Sequence, residues 1–228
     1  EDANSATTAI FYYDGTPPSF SNPNVPTNVN KGETNFNVAI HINENQAWNP
    51  NNPMIWYRNS GDPGYQSFAM GFSLDLYTAL IPSTYITMKG LEFYFVAFDS
   101  AGNMGTSQHF SPGVILPTGQ VETNSTSQPN STSVSGYRII GIPFILPQNQ
   151  MSDFINQNTL LPTYNSQLYR IYKFDNFYQQ LYEYDPANPS SFGTVGPGEG
   201  YLMLFNLTSS LQLQVSSFAR TVRSDQPY

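Results

Sequence analysis

The chain has 228 residues and a formal net charge of −8, which sets it against phosphate backbones and anionic lipid surfaces, and so against nucleic-acid partners. Without cysteine it has no disulfide, thiolate metal site or cysteine nucleophile, and no run approaches the ~18 consecutive apolar residues of a membrane helix. Only 11% of residues are charged and 15% are aromatic, a polarity without charge that suits an all-β chain with many turns.

Residues 1–9, EDANSATTA, lack the basic start and apolar centre of a signal peptide, so a secreted chain would be a mature or trimmed form. ATTAIFYYD (6–14) reads as an extra amphipathic strand ahead of a first folded unit at 15–116. NFNVAIHIN (35–43) alternates strictly, with Phe36, Val38, Ile40 and Ile42 on one side and Asn37, Ala39, His41 and Asn43 on the other. MIWYR (54–58), YQSFAMGFS (65–73), LYTALI (76–81) and LEFYFVAFD (91–99) follow as strands. NPNNP, NSGDPG and DSAGN separate them with turn-forming residues, a pattern that predicts a sandwich or barrel.

Residues 117–136 hold almost no large apolar side chain and read as a Ser/Thr/Asn-rich linker. A second, smaller β-rich unit is expected over 137–228. It opens with YRIIGIPFIL (137–146), and its helix candidate is NQMSDFINQNTLL (149–161), with Ser152 as N-cap. Strand patterns return at LYRIYKF (168–174), QQLYEYD (179–185), YLMLFNL (201–207) and LQLQVSSF (211–218).

The first unit resembles the immunoglobulin-like or fibronectin type III-like modules of large secreted bacterial and archaeal proteins. The resemblance rests on DGTPP (14–18), the Trp56-Tyr57 strand, Ile81-Pro82 and GLEFYFVAFDSAGN (90–103), and covers about half the chain. It implies a β-sandwich used as a spacer or adhesion unit. The second unit looks like a small β-rich module from the C-terminal parts of secreted surface proteins. Tyr169-Arg170-Ile171-Tyr172 and Pro197-Gly198-Glu199-Gly200-Tyr201 carry that likeness, which implies no catalytic residue. In that pattern a further strand follows a segment like RSDQPY (223–228). The chain therefore reads as a cut from a longer protein, with strand addition between subunits as the other explanation.

VGPGEGYLMLF (195–205) raises the question of a phosphate-binding loop. Such loops open a helix whose N-terminus faces the anion. These glycines open a strand instead, with Tyr201, Met203 and Phe205 alternating against Leu202, Leu204 and Asn206. Pro197-Gly198 reads as a turn, and Gly200 as the position needing positive φ or a bulge.

His41 and His109 are the only imidazoles, and neither has an acid at a diagnostic ligand spacing. No Gly-x-Ser-x-Gly elbow occurs. Glu183 and Asp185 share a strand face but lead into a turn, where both should be solvated and alike, unlike a working acid/base pair. Asp99 and Asn103, with Glu44 and Asp62, lie in or beside turns and are the calcium candidates. Trp48 and Trp56, and Tyr182 and Tyr184 as a flat pair two apart on a strand, are the aromatic candidates for stacking on carbohydrate. The ordinary alternative is cross-strand packing worth ~0.2–1 kcal/mol per pair. Sequons stand at Asn124, Asn130 and Asn206.

These observations define an expectation: an extracellular, non-enzymatic, all-β structural or adhesive protein of a cell surface or filament. Its partners are further copies or neighbouring domains of a surface assembly, joined by strand addition through residues 6–14. A carbohydrate-binding or accessory module trimmed from a larger secreted enzyme is the alternative.

Overall fold

The structure, a computed structural model, describes residues 14–44, 53–123, 137–158, 161–206 and 213–223. Its first strands are β1 (Ser19–Asn24), β2 (Asn28–Asn30), β3 (Asn37–Asn43), β4 (Met54–Asn59), β5 (Gln66–Ala69) and β6 (Gly71–Ser73). Then come β7 (Leu76–Leu80), β8 (Leu91–Phe98), β9 (Met104–Thr106), β10 (Gly113–Ile115) and β11 (Val121–Thr123). The second half holds β12 (Arg138–Gly141), β13 (Phe144–Ile145), helix α1 (Met151–Gln157), β14 (Tyr169–Asp175) and β15 (Gln180–Glu183). The last strands are β16 (Gly200–Phe205), β17 (Gln214–Ser216) and β18 (Arg220–Thr221). The chain is all-β, with α1 the one α-helix among the described residues.

In the first half, the sheets β1-β3-β7-β6 and β5-β4-β8-β9 meet through their inner faces. The alternation in 35–43 sets one side of that contact. Phe36, Val38, Ile40 and Ile42 are buried, and Phe36 meets Phe93 of β8 edge-on at 6.5 Å. Phe93, Phe95 and Phe110 pack on one another at 5.4–5.8 Å between centroids, concentrating apolar area where the layers touch.

The segment 65–73 is not one strand. It divides at buried Met70, whose N–H donates to Pro53 O at 2.8 Å, so β5 pairs with β4 while β6 crosses to β7 in the other sheet. The β6–β7 hairpin turns on Leu74 and Asp75, at φ 51° and 66°. Two successive left-handed residues give the turn whose twist matches antiparallel strands, usually made by Asn-Gly rather than Leu-Asp.

The halves are joined by hydrogen bonding. One sheet runs β13-β18-β10-β2, taking β2 and β10 from the first half and β13 and β18 from the second. In it β2 lies parallel to β10, and the other pairs are antiparallel. Part of the expected linker also joins in, because Val121–Thr123 pairs with Gln214–Ser216 of β17. A short polar strand is held here by its partner's ladder rather than by its own apolar content. Residues 124–136 lie outside the described residues.

The segment 137–146 splits at Ile142-Pro143. β12 enters the sheet β12-β16-β14-β15 and β13 enters the joining sheet. Helix α1 is shorter than 149–161 and begins two residues earlier than the expected cap: its N-cap is Gln150 rather than Ser152, and the Gln150 N–H donates to the Asp153 carboxylate at 3.4 Å. Met151, Phe154 and Ile155 point from it into the core.

Candidate functional site

Period-two geometry places Trp56 and Arg58 of β4, and Glu92 and Tyr94 of β8, on the outward face of their sheet. Register sets Trp56 opposite Tyr94 and Arg58 opposite Glu92. The Trp56 and Tyr94 rings lie 11° from parallel at 6.3 Å. Tyr94 continues to exposed His109 at 4.6 Å, and Tyr65 stands edge-on to Tyr94 at 5.0 Å. Arg58 donates from Nε to Glu92 Oε2 at 2.9 Å and from Nη1 to Asp62 O at 2.7 Å, with its guanidinium 4.4 Å over the Tyr65 ring. The bond to Glu92 raises the Arg58 pKa, and burial opposes it. The Trp56 indole N–H is buried and meets no hydrogen-bond acceptor. The strip therefore presents stacked aromatic rings beside a fixed ion pair, with the Trp56 N–H shut inside it.

Sequence reasoning singled out Trp56, weighed His109 only as a ligand or catalytic imidazole, and missed Tyr65 and Tyr94 beside them. Alternation within β4 and β8 showed which residues share a face, but only the register of the two strands shows which rings touch. Trp48 lies outside the described residues.

Tyr182 and Tyr184 do not form the expected flat pair. Tyr182 is partly exposed, while Tyr184 is 5% exposed and packs between Tyr164 and Phe192. Nor are Glu183 and Asp185 alike. Glu183 accepts from Arg170 Nε at 2.7 Å, from Arg170 Nη2, from Tyr172 OH at 3.0 Å and from Tyr164 OH at 3.4 Å. The Arg170 hydrogen bond, against the opposing effect of burial, holds the Glu183 carboxyl below its usual range. Asp185 is exposed and accepts from Ala187 N–H at 2.9 Å in a turn. A carboxylate held ionised by arginine does not serve as a general acid.

Of the calcium candidates, Asp99 is buried. It accepts from Asn103 N–H at 2.7 Å and from Asn103 Nδ2 at 2.6 Å, and that amide also donates to Asp14 O at 2.8 Å. Burial pushes the Asp99 carboxyl up, and the hydrogen bonds from Asn103, Ala101 and Gly102 outweigh it, leaving the group below its ordinary value. Carboxylate oxygens of Asp14, Glu44 and Asp99 lie within 4.8 Å of one another. These are the residues that would hold a hard divalent cation. Asp62 pairs instead with Lys89 at 3.3 Å.

The glycine-rich stretch is a turn into β16. Gly198 has φ +83° and takes the left-handed position that Gly200 was expected to fill. Asn206 is exposed and follows β16, with its Nδ2 donating to Gln167 O at 3.2 Å. Asn124 and Asn130 lie outside the described residues, as do residues 6–13 of the expected extra strand. Among the described residues no helix is long and apolar enough to cross a membrane. Compared with protein-family models, curated proteins and solved structures, the chain matches none.

Proposed function

We propose that this is an extracellular structural or adhesive protein, a subunit of a cell surface or filament whose work is mechanical. Its first half is read as an immunoglobulin-like sandwich and its second as a smaller β-rich unit bonded to it. One observation carries this reading: β10 is flanked by β2, from early in the chain, and by β18, from late in it. Force entering at one end and leaving at the other is then borne by a single hydrogen-bonded sheet rather than by a flexible tether. The outer strands of the sheets leave backbone donors and acceptors that a neighbouring copy can pair with.

Electron microscopy of the purified chain, intact and lacking residues 1–13, tests the proposal. Ordered assemblies of the intact chain, and a folded but unassembled truncated one, are the expected result. Dispersed single particles from both would refute the assembly role.

A second reading is favoured by the Trp56–Tyr94–His109 strip: a carbohydrate-binding or accessory module of a larger secreted enzyme. Glycan-array binding by the wild type that disappears in Trp56→Ala would support it. Equal signals from both proteins would remove it.

A further inference from the structure

The sheet β12-β16-β14-β15 buries Ile171, Tyr201 and Met203 on one face. Directly opposed residues share a side, so Ile139, Leu202, Tyr172 and Glu183 form one row across the other face, with Phe174 opposite Leu181 beside it. Beside the Arg170–Glu183 ion pair, that outer face carries exposed apolar side chains. Ile139 is 81% exposed and Leu181 is half exposed. A groove of about 700 Å³ runs along it between Ile139, Leu202, Phe174 and Leu181, with Gly200, which has no side chain, at its floor.

The β14–β15 hairpin raises a knob next to this groove. Phe177 at its tip is 84% exposed and stands edge-on to Tyr178 at 4.8 Å. The Asp175 carboxylate accepts both their backbone N–H groups, at 2.8 and 2.9 Å, and Gln179 Nε2 donates to Asn176 O at 2.6 Å. The knob is thus ordered before it meets anything, which lowers the entropy cost of using it.

We propose that a second copy of this chain packs on this face, each copy seating its Phe177 tip in the other's groove about a two-fold axis. The inference rests on the self-association in the function proposed above and adds to its strand pairing a second contact surface between copies. Two observations point to a second copy as the occupant. First, the chain carries a net charge of −8, so two copies repel unless they meet where charge is compensated. On this face Arg170 is bonded to Glu183, and at the groove end Lys173 is bonded to Glu199 at 2.5 Å, so among the described charged residues lining the groove only Asp175 has no ionic partner. Second, at roughly 200 Å² per large side chain the exposed parts of Ile139, Phe174, Phe177, Tyr178 and Leu181 come to roughly 600 Å². That approaches the ~800 Å² per partner of a standard interface. A knob beside its own hole is what a two-fold contact requires, since each patch must complement itself.

Sedimentation equilibrium of the full chain, with Ile139→Glu and Phe177→Asp, tests this. Both positions are exposed, and unchanged circular dichroism and melting temperature would show that each variant folds. The wild type should associate reversibly, and either variant should raise the dissociation constant at least about tenfold, because a carboxylate would be buried without a partner. Wild type and variants associating equally would overturn this face while leaving the assembly role intact. Wild type remaining monomeric at high concentration would overturn both. A monomer that binds lipid vesicles, with the two variants abolishing that binding, would overturn it in favour of another occupant.

Discussion

Ile115 of β10 stands opposite Arg220 of β18, and Arg220 on its other side stands opposite Ile145 of β13. One short strand near the end of the chain therefore joins both halves of the molecule. The halves should unfold together. Both tryptophans lie in the first half, so their fluorescence in urea should trace the same midpoint as far-ultraviolet circular dichroism of the whole chain. Separated midpoints would show that the joining sheet couples the halves only weakly.

The same strand supplies a testable hydrogen bond. The Val114 N–H donates to Thr221 Oγ1 at 2.9 Å in a buried setting. Thr221→Val keeps the shape and removes the acceptor, which should cost about 1–3 kcal/mol in denaturant unfolding. Thr221→Ser should recover most of that. Equal stability of the valine and serine variants would mean that the N–H finds another acceptor.

Gly105 of β9 lies hard against the lead-in to β1. A Cβ there would fall 2.0 Å from Pro18 O, a backbone atom with little freedom to retreat. Gly105→Ala should destabilise the chain by about 1–3 kcal/mol. Gly196→Ala, where a Cβ meets nothing within 4 Å, should stay within about 0.5 kcal/mol of wild type by the same measurement.

The sequence disclosed what depends on period two and concealed what depends on register. Alternation in 35–43 identified the buried row from Phe36 to Ile42, and the strand pattern in 201–207 excluded a phosphate loop. The crossing at Met70 was hidden because a strand that changes sheets keeps an unbroken apolar pattern. The Leu74-Asp75 turn was hidden because neither residue is a usual left-handed one. β2, β10 and β18 are too short to show a period, yet they hold the halves together. The site followed the same division. Trp56 and Asp99 could be named singly, but their neighbours Tyr94 and Asp14 come from distant segments brought together by strand pairing.

Alkaline pH should unfold the chain through its buried tyrosines. Burial, followed by the nearby Glu183 carboxylate, pushes the Tyr164 hydroxyl up to about 12, and burial raises Tyr169 as well. An unfolded tyrosine ionises near ~10. The folded state thus favours the neutral phenol, and its contribution is complete below ~10 and lost as pH climbs toward 12. A tyrosinate absorbance titration should show these groups ionising in step with loss of circular dichroism. Smooth ionisation ahead of unfolding would contradict their burial.

At the acid end the sign reverses, and Glu183 is the group to follow. Its folded pKa is depressed, first by the Arg170 hydrogen bond and further by Tyr172 and Tyr164. Its stabilisation is therefore complete well above the unfolded glutamate value near ~4.3, and disappears as pH falls through the lower folded value. Glu183→Gln removes the charge at every pH while keeping the size. With the ion pair partly open to solvent, the variant should lose about 1 kcal/mol at neutral pH. Its stability should then fall less steeply than that of the wild type below pH ~4, so the two curves converge. Unfolding measured at neutral pH and again near pH 3 would show this. Parallel curves would mean that Arg170 takes its counter-charge from elsewhere, and that the Tyr164–Tyr172–Glu183 cluster is held by its phenols rather than by its charge.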